Sequence, residues 1–336
     1  QAARSGSWRC PIIDTAANIR SCYGSIGPVV VFGPNNFPFA FGSISGGDFA
    51  AAIAAGNPVI AKANTSHPGT TRLLAEQALV AANETSMPPG TVQLIYRTSH
   101  ADGKRLVSDP RLGATGYTGS RASGLALKAA ADAAGKPIYL ELSSINPVVI
   151  LPGALKERGE NIAEEFKTSC LMGTGQFCTN PGLVILIKGD ETDLFIAATK
   201  EWFTRAPVGT LLSEAVANSL RDNLVALKNA GADPLLKLEP YPEDGYCHSN
   251  ALLQISGEQF IAQPDIFQAE CFGNSTLFVV ADDVAQAAAV IDQLEGNLTG
   301  CIYSDTGGSD DAAYDQLEPG LRVRVGRLLN DEMPTG

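Results

Sequence analysis

Short apolar runs alternating with helix-like stretches are the feature that most constrains the fold of this chain. The runs GPVVVF (27–32), PVIAKA (58–63) and TVQLIY (91–96) have the composition of buried strands, and the stretches 49–55 and 70–83 between them have that of helices. Asp48 is placed to cap the first of these helices and Gly56 to end it. Because parallel strands need long, usually helical connections, this order predicts a parallel sheet with helices on its faces.

The same alternation continues through the rest of the chain. Further strands are predicted at 136–142, 143–151, 183–187, 251–255, 275–280 and 299–303, and further helices at 121–134, 162–171, 192–203 and 213–232. The chain has 336 residues, 45% of them hydrophobic, which is enough to bury a large core. We therefore expect an α/β architecture with two domains.

The net negative charge of the chain excludes some classes of binding partner. Lys and Arg number 24 against 36 Asp and Glu, the net charge is -12, and no basic block occurs, so nucleic acid and anionic membranes are poor candidate partners. No apolar run reaches membrane-spanning length, and the start lacks the apolar core of a signal peptide. The seven cysteines show no CxxC pair and no zinc-type histidine spacing, a pattern that favours reduced thiols in a cytoplasm and no metal site.

One cysteine, Cys178, lies in the turn-rich segment GTGQFCTNPG (173–182) directly before the apolar run LVILI. This places Cys178 on a loop that enters a buried strand. A thiol held on a loop against a rigid sheet is a candidate nucleophile, because nearby dipoles or charges can populate its thiolate. The alternative is a buried core cysteine with no chemical role.

Two polar residues occupy positions where α/β proteins bind ligands. Glu141 ends the apolar run of 136–142, at the carboxyl end of a predicted strand, although a solvated carboxylate at a strand end would look the same. Ser120 is placed as the N-cap of the helix that Gly135 ends, where main-chain N–H groups form an anion site, although a capped helix without a ligand is equally consistent. The dinucleotide fingerprint GxGxxG is not present in this region.

Six motifs in chain order resemble the aldehyde dehydrogenase superfamily, in particular its NADP-preferring members such as those that act on 2-oxoglutarate semialdehyde or fatty aldehydes. They are PNNFP (34–38), GNPVIAKANTS (56–66), YTGS (117–120), LEL (140–142), GQFC (175–178) and ECFG (270–273). The resemblance runs from about residue 24 to residue 330. One such motif would be a weak signal, and six in the right order are a strong one.

The resemblance implies three catalytic residues. Cys178 would be the nucleophile, and Asn36 would stabilise the oxyanion together with the N–H of Cys178. Glu141 would be the general base that activates water to hydrolyse a thioester. The serines that follow Leu142 replace the two glycines usual in the family, so the loop after Glu141 is expected to differ.

The resemblance also implies cofactor contacts. Lys62 would reach the adenosine ribose or its phosphate, Gly119 and Ser120 the pyrophosphate, and Glu270 the nicotinamide ribose, with Phe272 bordering the ring.

Thr65 favours NADP over NAD as the cofactor, with NAD still possible. NAD-preferring relatives carry an acidic residue three positions after the lysine, and this residue would repel a 2′-phosphate. Thr65 lacks that charge and offers a hydroxyl donor.

The resemblance implies a Rossmann-type cofactor domain over residues 21–142 and an α/β catalytic domain over 143–326. Residues 1–20 would form an arm or oligomerisation segment, and 327–336 would return to the cofactor domain or an interface. Relatives carry further N-terminal and C-terminal portions, so we expect both ends to be missing here. The full-length form is then expected to be a homo-oligomer, a dimer or a tetramer.

Other readings remain open from the sequence. A truncated, non-catalytic nucleotide-binding or assembly module would keep the fold and bind cofactor without turnover. Acylation of coenzyme A from the same thioester is disfavoured by Glu141, since a hydrolytic base would compete with the thiol. A cysteine hydrolase would need a histidine near Cys178, and no recognisable Cys–His motif is present. The small-molecule aldehyde itself is not specified by these motifs.

Overall fold

The structure is a computed structural model that describes residues 12–14, 16–21, 24–238 and 245–335. It divides into two compact units, Gln1–Leu142 and Ser143–Gly336. The predicted α/β class is confirmed by a parallel sheet in the first unit and a mixed sheet in the second. Residues 1–11 of the predicted arm, with Cys10, and also Cys22 lie outside the described residues. The described part of the arm contributes a two-stranded antiparallel hairpin, β1 (Ile12–Asp14) and β2 (Ile19–Ser21).

The first unit is built on a five-stranded, all-parallel sheet in the order β5-β4-β3-β6-β7. Its strands are β3 (Val29–Phe32), β4 (Val59–Lys62), β5 (Val92–Ile95), β6 (Ala114–Thr118) and β7 (Ile138–Glu141). Its helices are α1 (Gly47–Ala54), α2 (Pro68–Glu84), α3 (His100–Val107) and α4 (Arg121–Ala133). Strands β3, β4, β5 and β7 match the predicted runs to within two residues, whereas β6 was not predicted.

Helices cover both faces of this sheet, which explains why its strands are apolar runs rather than alternating ones. On one face, α1 packs Ala52 against Val29, Val31 and Ala114. On the opposite face, α3 and α4 pack Val107, Leu127 and Ala131 against the strand residues Val30, Phe32 and Tyr117.

Two capping predictions for this unit need correction. Helix α1 begins at Gly47 with Gly46 in the N-cap position, so Asp48 lies inside the first turn and does not cap the helix. Two glycines in succession let the chain enter the helix before the aspartate. Ser120 does occupy the N-cap position of α4, but its side chain makes no capping hydrogen bond.

The second unit is built on a seven-stranded sheet in the order β10-β11-β12-β9-β8-β13-β14, parallel except for β10. Its strands are β8 (Val148–Ile150), β9 (Leu183–Ile187), β10 (Asp233–Pro234), β11 (Ala251–Ser256), β12 (Ser275–Ala281), β13 (Asn297–Tyr303) and β14 (Val325–Asn330). Residues 327–330 therefore belong to this sheet. The structure places the described residues 327–335 in the second unit, whereas the sequence predicted a return to the cofactor domain or an interface.

Helices also cover both faces of the seven-stranded sheet. They are α5 (Pro152–Leu171), α6 (Asp190–Arg205), α7 (Glu214–Asn229), α8 (Gly257–Ala262), α9 (Pro264–Phe267), α10 (Val284–Asp292) and α11 (Asp311–Arg322). One face packs α7, α8, α10 and α11, and the other packs α5 and α6 around Phe166. The ring of Phe166 stacks on Phe203 at 5.9 Å and meets Phe278 of β12 at 5.8 Å.

A buried carboxylate joins the start of α5 to a distant loop. Asp310 is 4% exposed, and its carboxylate accepts hydrogen bonds from the N–H groups of Gly153 (2.9 Å) and Ala154 (2.8 Å). Because Leu151 in the N-cap position offers no acceptor side chain, Asp310 does the capping from more than 150 residues away. Across the described residues, no helix is both long enough and apolar enough to cross a membrane.

Candidate active site

The carboxyl edge of the five-stranded sheet gathers the polar residues that the sequence analysis selected in the first unit. Phe32 pairs in register with Lys62 and with Tyr117, and Thr118 pairs with Glu141, so these strands end at one level. The loops that follow carry Asn36, Thr65, Gly119 and Ser120. Ligand sites of open parallel sheets lie at this edge.

The turn after β3 holds Asn36 in a compact loop. Close main-chain packing requires glycine at Gly33 and Gly42, where an added Cβ would come within 2.5 Å of Ser43 N and 2.3 Å of Pro38 O. Asn36 is half-buried in this loop.

The loop after β4 is tied to the turn after β3. The Asn64 side-chain amide donates to Gly33 O (3.1 Å), and His67 Nε2 lies 3.1 Å from Pro34 O. Thr65, on the same loop, is exposed, so its hydroxyl can meet a ligand.

Two cations stand together at this edge. Lys62 ends β4 and is half-buried, and burial together with the charge of Arg97 lowers the pKa of its ammonium. Arg97 comes two residues after Ile95, which pairs with Lys62 in the sheet. Arg97 was not among the predicted site residues, although it is the first cation after the neighbouring strand, which predicts a position beside Lys62. Mutual repulsion between two cations is relieved by a bound anion.

The start of α4 fits a phosphate group. Ser120 is extended, the first turn contains no acidic residue, and no side chain caps its N–H groups. Gly119 lets the chain pass close to Tyr117, because a Cβ there would lie 2.8 Å from the Tyr117 hydroxyl. Gly124 has a similar role, since its Cβ would lie 2.3 Å from Leu142 Cδ2. Uncapped N–H groups here and the cation pair at β4 together fit a phosphorylated dinucleotide.

Glu141 is the last residue of β7 and is half-buried. Burial raises the pKa of its carboxyl, and the negative charge of Asp48 raises it further. A carboxyl whose pKa is moved toward neutrality is suited to general-base chemistry.

In the second unit, Cys178 lies on the loop before β9, as predicted, and its side chain is partly exposed. The chain approaches this loop through three successive residues with positive φ, Gly173 (56°), Thr174 (60°) and Gly175 (67°). A Cβ on Gly175 would come within 2.0 Å of Gly273 O, so the cysteine loop packs directly on the turn of the ECFG segment.

A buried asparagine fixes the main chain at Cys178 and just after it. The Asn146 side-chain amide donates to Cys178 O (2.9 Å) and to Asn180 O (2.8 Å), and its Oδ1 accepts from the Thr299 hydroxyl (3.1 Å). Asn297 supports Asn146 in turn by accepting from its N–H (3.2 Å). Neither residue was predicted from the sequence. The one available signal was an asparagine in a turn, which tolerates the left-handed conformation that Asn146 adopts (φ 44°).

Three of the other cysteines that the structure describes, Cys170, Cys271 and Cys301, have thiols whose pKa values are raised. Burial raises the pKa of the Cys170 thiol above its usual range, and it raises the pKa values of Cys271 and Cys301 to about 12. These three thiols are therefore protonated at neutral pH, which is unfavourable for a nucleophile. The part of the chain that the structure describes contains no group of acidic, histidine and cysteine side chains able to hold a metal ion.

Glu270 and Phe272 lie on the loop that precedes β12, next to the cysteine loop. Burial raises the pKa of the Glu270 carboxyl to about 7, and hydrogen bonds with the Ser143 hydroxyl and the Ser144 N–H oppose the shift. A cavity of about 20 Å³ beside it, also lined by Cys271, has room for one water molecule. Contact of Glu270 and Phe272 with a cofactor remains a prediction.

The structure thus collects the predicted residues in two groups. The first unit holds Asn36, Lys62, Thr65, Gly119, Ser120 and Glu141 at one sheet edge, and the second unit holds Cys178, Glu270 and Phe272 on adjacent loops at the amino ends of β9 and β12.

The sequence model of the aldehyde dehydrogenase family matches residues 5–325. The chain belongs to the aldehyde dehydrogenase family. Alpha-ketoglutaric semialdehyde dehydrogenase 2 of Azospirillum brasilense is 40% identical to it over 320 residues, which cover 93% of this chain and 59% of that protein. Alpha-ketoglutaric semialdehyde dehydrogenase of Acinetobacter baylyi is 34% identical over 344 residues, covering 99% of this chain and 64% of that protein. The chain spans about three fifths of the length of these curated relatives.

Solved structures of aldehyde dehydrogenases share the fold. Succinic semialdehyde dehydrogenase from Streptococcus pyogenes superimposes with a TM-score of 0.76 at 18% identity, covering 100% of this chain and 71% of that one. Glyceraldehyde-3-phosphate dehydrogenase from Methanocaldococcus jannaschii gives 0.76 at 19% identity, covering 94% and 66%. These matches confirm the predicted aldehyde dehydrogenase architecture of a parallel-sheet unit followed by a larger α/β unit.

Proposed function

We propose that this aldehyde dehydrogenase chain oxidises an aldehyde to the carboxylic acid through a thioester on Cys178, with NADP preferred as the cofactor. The observation that carries the proposal is the setting of Cys178. Cys178 is partly exposed on a loop whose carbonyls at Cys178 and Asn180 are held by Asn146, whereas Cys170 and Cys301 are fully buried and burial keeps their thiols protonated.

The first part of the reaction builds a tetrahedral centre. The Cys178 thiolate adds to the aldehyde carbon, a C–S bond forms, and the carbonyl electron pair moves to oxygen. The side-chain amide of Asn36 and the N–H of Cys178 donate to this oxyanion. The chemistry that a bound nicotinamide supplies is acceptance of a hydride, which leaves the carbon as a thioester.

The second part of the reaction hydrolyses the thioester. Glu141 takes a proton from a water molecule, the water oxygen adds to the thioester carbon, and the C–S bond breaks with its electron pair remaining on Cys178. The products are the carboxylic acid and the regenerated thiolate, and the proton on Glu141 passes to solvent. The raised pKa of Glu141 makes it a stronger base than an exposed carboxylate.

The preference for NADP rests on charge at the carboxyl edge of the first sheet. Lys62 and Arg97 provide positive charge, and Thr65 offers a hydroxyl where an acidic residue would repel a 2′-phosphate. The start of α4, with Gly119 and Ser120, would hold the pyrophosphate. In the second unit, Glu270 and Phe272 would hold the nicotinamide ribose and border its ring.

We further propose a short aldehyde that carries a carboxylate as the substrate class. The support is the 40% identity to a relative whose name specifies alpha-ketoglutaric semialdehyde. The family resemblance also supports a homo-oligomer, a dimer or tetramer, for the whole protein, which light scattering would test. The cysteine pattern supports a cytoplasmic location.

The test is reduction of NADP and of NAD with short, long and carboxylated aldehydes, comparing the chain with Cys178→Ala and with Cys247→Ala, in which another partly exposed cysteine is removed. We expect NADP-preferring turnover that falls at least about 10³-fold in Cys178→Ala and persists in Cys247→Ala. Equal activity in Cys178→Ala would contradict the mechanism. NADP binding without turnover would instead support the non-catalytic nucleotide-binding module.

A further inference from the structure

One face of the five-stranded sheet carries two carboxyl groups near its carboxyl edge. Ile138 and Leu140 of β7 pack in the cluster under α3 and α4. Since side chains alternate along a strand, Glu141 points to the opposite face, the one that α1 covers. Ala114 of β6 packs in the cluster under α1, so Gly116, two residues later, lies on this same face.

Asp48 comes to that face from α1. Its carboxylate lies on Gly116, where an added Cβ would be 2.6 Å from Asp48 Oδ2. Gly116 is next to β7 in the sheet, in register with Tyr139, two residues before Glu141. The absence of a side chain at Gly116 thus lets Asp48 reach the sheet beside the neighbouring strand that ends in Glu141.

We propose that Asp48 is a positioning residue for Glu141: its carboxylate, seated on Gly116, faces the Glu141 carboxyl and sets the pH at which Glu141 can accept a proton from water. This inference rests on the proposed function, in which Glu141 is the general base. Asp48 does not touch the reacting atoms and acts through the charge of Glu141.

The charges around the pair are consistent with a direct interaction. Burial raises the pKa values of both carboxyls, and the charge of Asp48 is the ionic contribution that raises that of Glu141. On α2, which packs on the same face, Arg72 and Glu76 pair with each other at the surface (3.3 Å). Lys62 follows Ile60 of the opposite cluster by two residues, so it points to the other face.

The pair has a clear chemical consequence. While Asp48 is ionised, its charge disfavours a second charge on Glu141 and favours the protonated form. Glu141 then binds the proton of water more strongly during hydrolysis, but it is available as a base only at higher pH. Asp48 therefore lowers activity at low pH and makes Glu141 a stronger base at high pH.

The experiment compares wild type with Asp48→Asn and Asp48→Ser, using Asp132→Asn as the matched control because Asp132 is exposed and paired with Lys128. Two properties are measured: the pH profile of turnover with NADP and a carboxylated aldehyde, and the titration of the Glu141 carboxyl by carbon NMR in the nucleotide-free chain, assigned with Glu141→Gln.

We expect both Asp48 variants to move the Glu141 midpoint and the acidic limb of the pH profile to lower pH, and Asp132→Asn to leave both unchanged. Unchanged Glu141 midpoints in the variants would overturn the inference whatever their activity. Absence of turnover with every aldehyde would contradict the proposed function alone, because the NMR titration would still report the interaction. If one variant fails to fold, the other provides the comparison.

Discussion

The side-chain amide of Asn146 donates a hydrogen bond of 2.9 Å to the main-chain carbonyl of Cys178. The same amide group donates to Asn180 O at 2.8 Å, so a single fully buried residue spans the loop that carries the thiol. These bonds fix the carbonyl of Cys178 and the part of the loop that follows it, as far as Asn180. Rigid support of this kind is what a site needs to hold its geometry.

Replacing Asn146 should weaken both the fold and the site. Asn146→Ala leaves the buried carbonyl oxygens of Cys178 and Asn180 without this donor, which we expect to cost about 3 kcal/mol of unfolding free energy. Asn146→Asp keeps the shape but places a carboxylate against those oxygens, so it should cost at least as much. Urea denaturation is the measurement, with exposed Asn229→Ala as a control expected to change little. An unchanged midpoint in Asn146→Ala would refute this account of the loop.

Asn36 and its neighbour Asn35 provide a matched pair of amides on one loop. If Asn36 stabilises the oxyanion, Asn36→Ala should lower kcat about 10²- to 10³-fold with little change in KM, because the contact forms mainly in the transition state. Asn35→Ala, which removes the adjacent amide, should have a much smaller effect. Steady-state kinetics with the best aldehyde would show this, and equal losses in the two variants would argue against an oxyanion role.

Thr65 offers a test of cofactor preference. Thr65→Glu places a carboxylate on the exposed loop beside the Lys62 and Arg97 cations, where it would repel a 2′-phosphate. We expect kcat/KM for NADP to fall about tenfold or more, with a smaller effect on NAD. Glutamine has nearly the same size as glutamate but carries no charge, so Thr65→Gln should retain the preference for NADP. A wild-type chain that uses NAD more efficiently would contradict this interpretation of Thr65.

Glu270 should make the stability of the chain depend on pH. Its pKa in the folded state is about 7, above the ordinary value of 4.5, so the folded chain keeps a proton that the unfolded chain has released. The stabilisation is complete below pH 4.5 and is lost as pH rises through 7, with a slope of at most about 1.4 kcal/mol per pH unit. Glu270→Gln should flatten this slope in urea denaturation from pH 4.5 to 8. Glu164→Gln, exposed on α5, should leave it intact, and a wild-type stability that rises over this range would show the sign to be wrong.

The sequence predicted most strands well because helices cover both faces of both sheets. Runs such as Leu183–Ile187 are apolar throughout, and the structure gives them the predicted bounds. Helix α3, His100–Val107, was not predicted because it is short, polar and contains a glycine. Strand β14, Val325–Asn330, was also missed, since it lies at a sheet edge with several residues exposed and lacks an apolar run.

The candidate site was predictable where chemistry is local and was not where it depends on distant partners. Cys178 on a loop before a strand and Glu141 at a strand end follow from neighbouring residues, and the structure confirms both positions. Asn146 contacts Cys178, and Asp48 contacts Gly116 on the face of the sheet to which Glu141 points. Each contact joins residues 32 or more positions apart. No periodicity in the chain brings such pairs together, so only the folded sheets reveal them. The catalytic and cofactor roles themselves stay predictions.

The order of strands in the second sheet also determines when each strand can pair during synthesis of the chain. Strand β8 pairs on one side with β13, where Val148 meets Cys301, and Asp310 caps α5 from still later in the chain. A ribosome that adds roughly 5–20 residues per second makes β8 on the order of 10 s before this partner exists. During that interval the edge of β8 that will pair with β13 is unpaired and apolar. The nascent chain should therefore depend on chaperones until β13 has been synthesised.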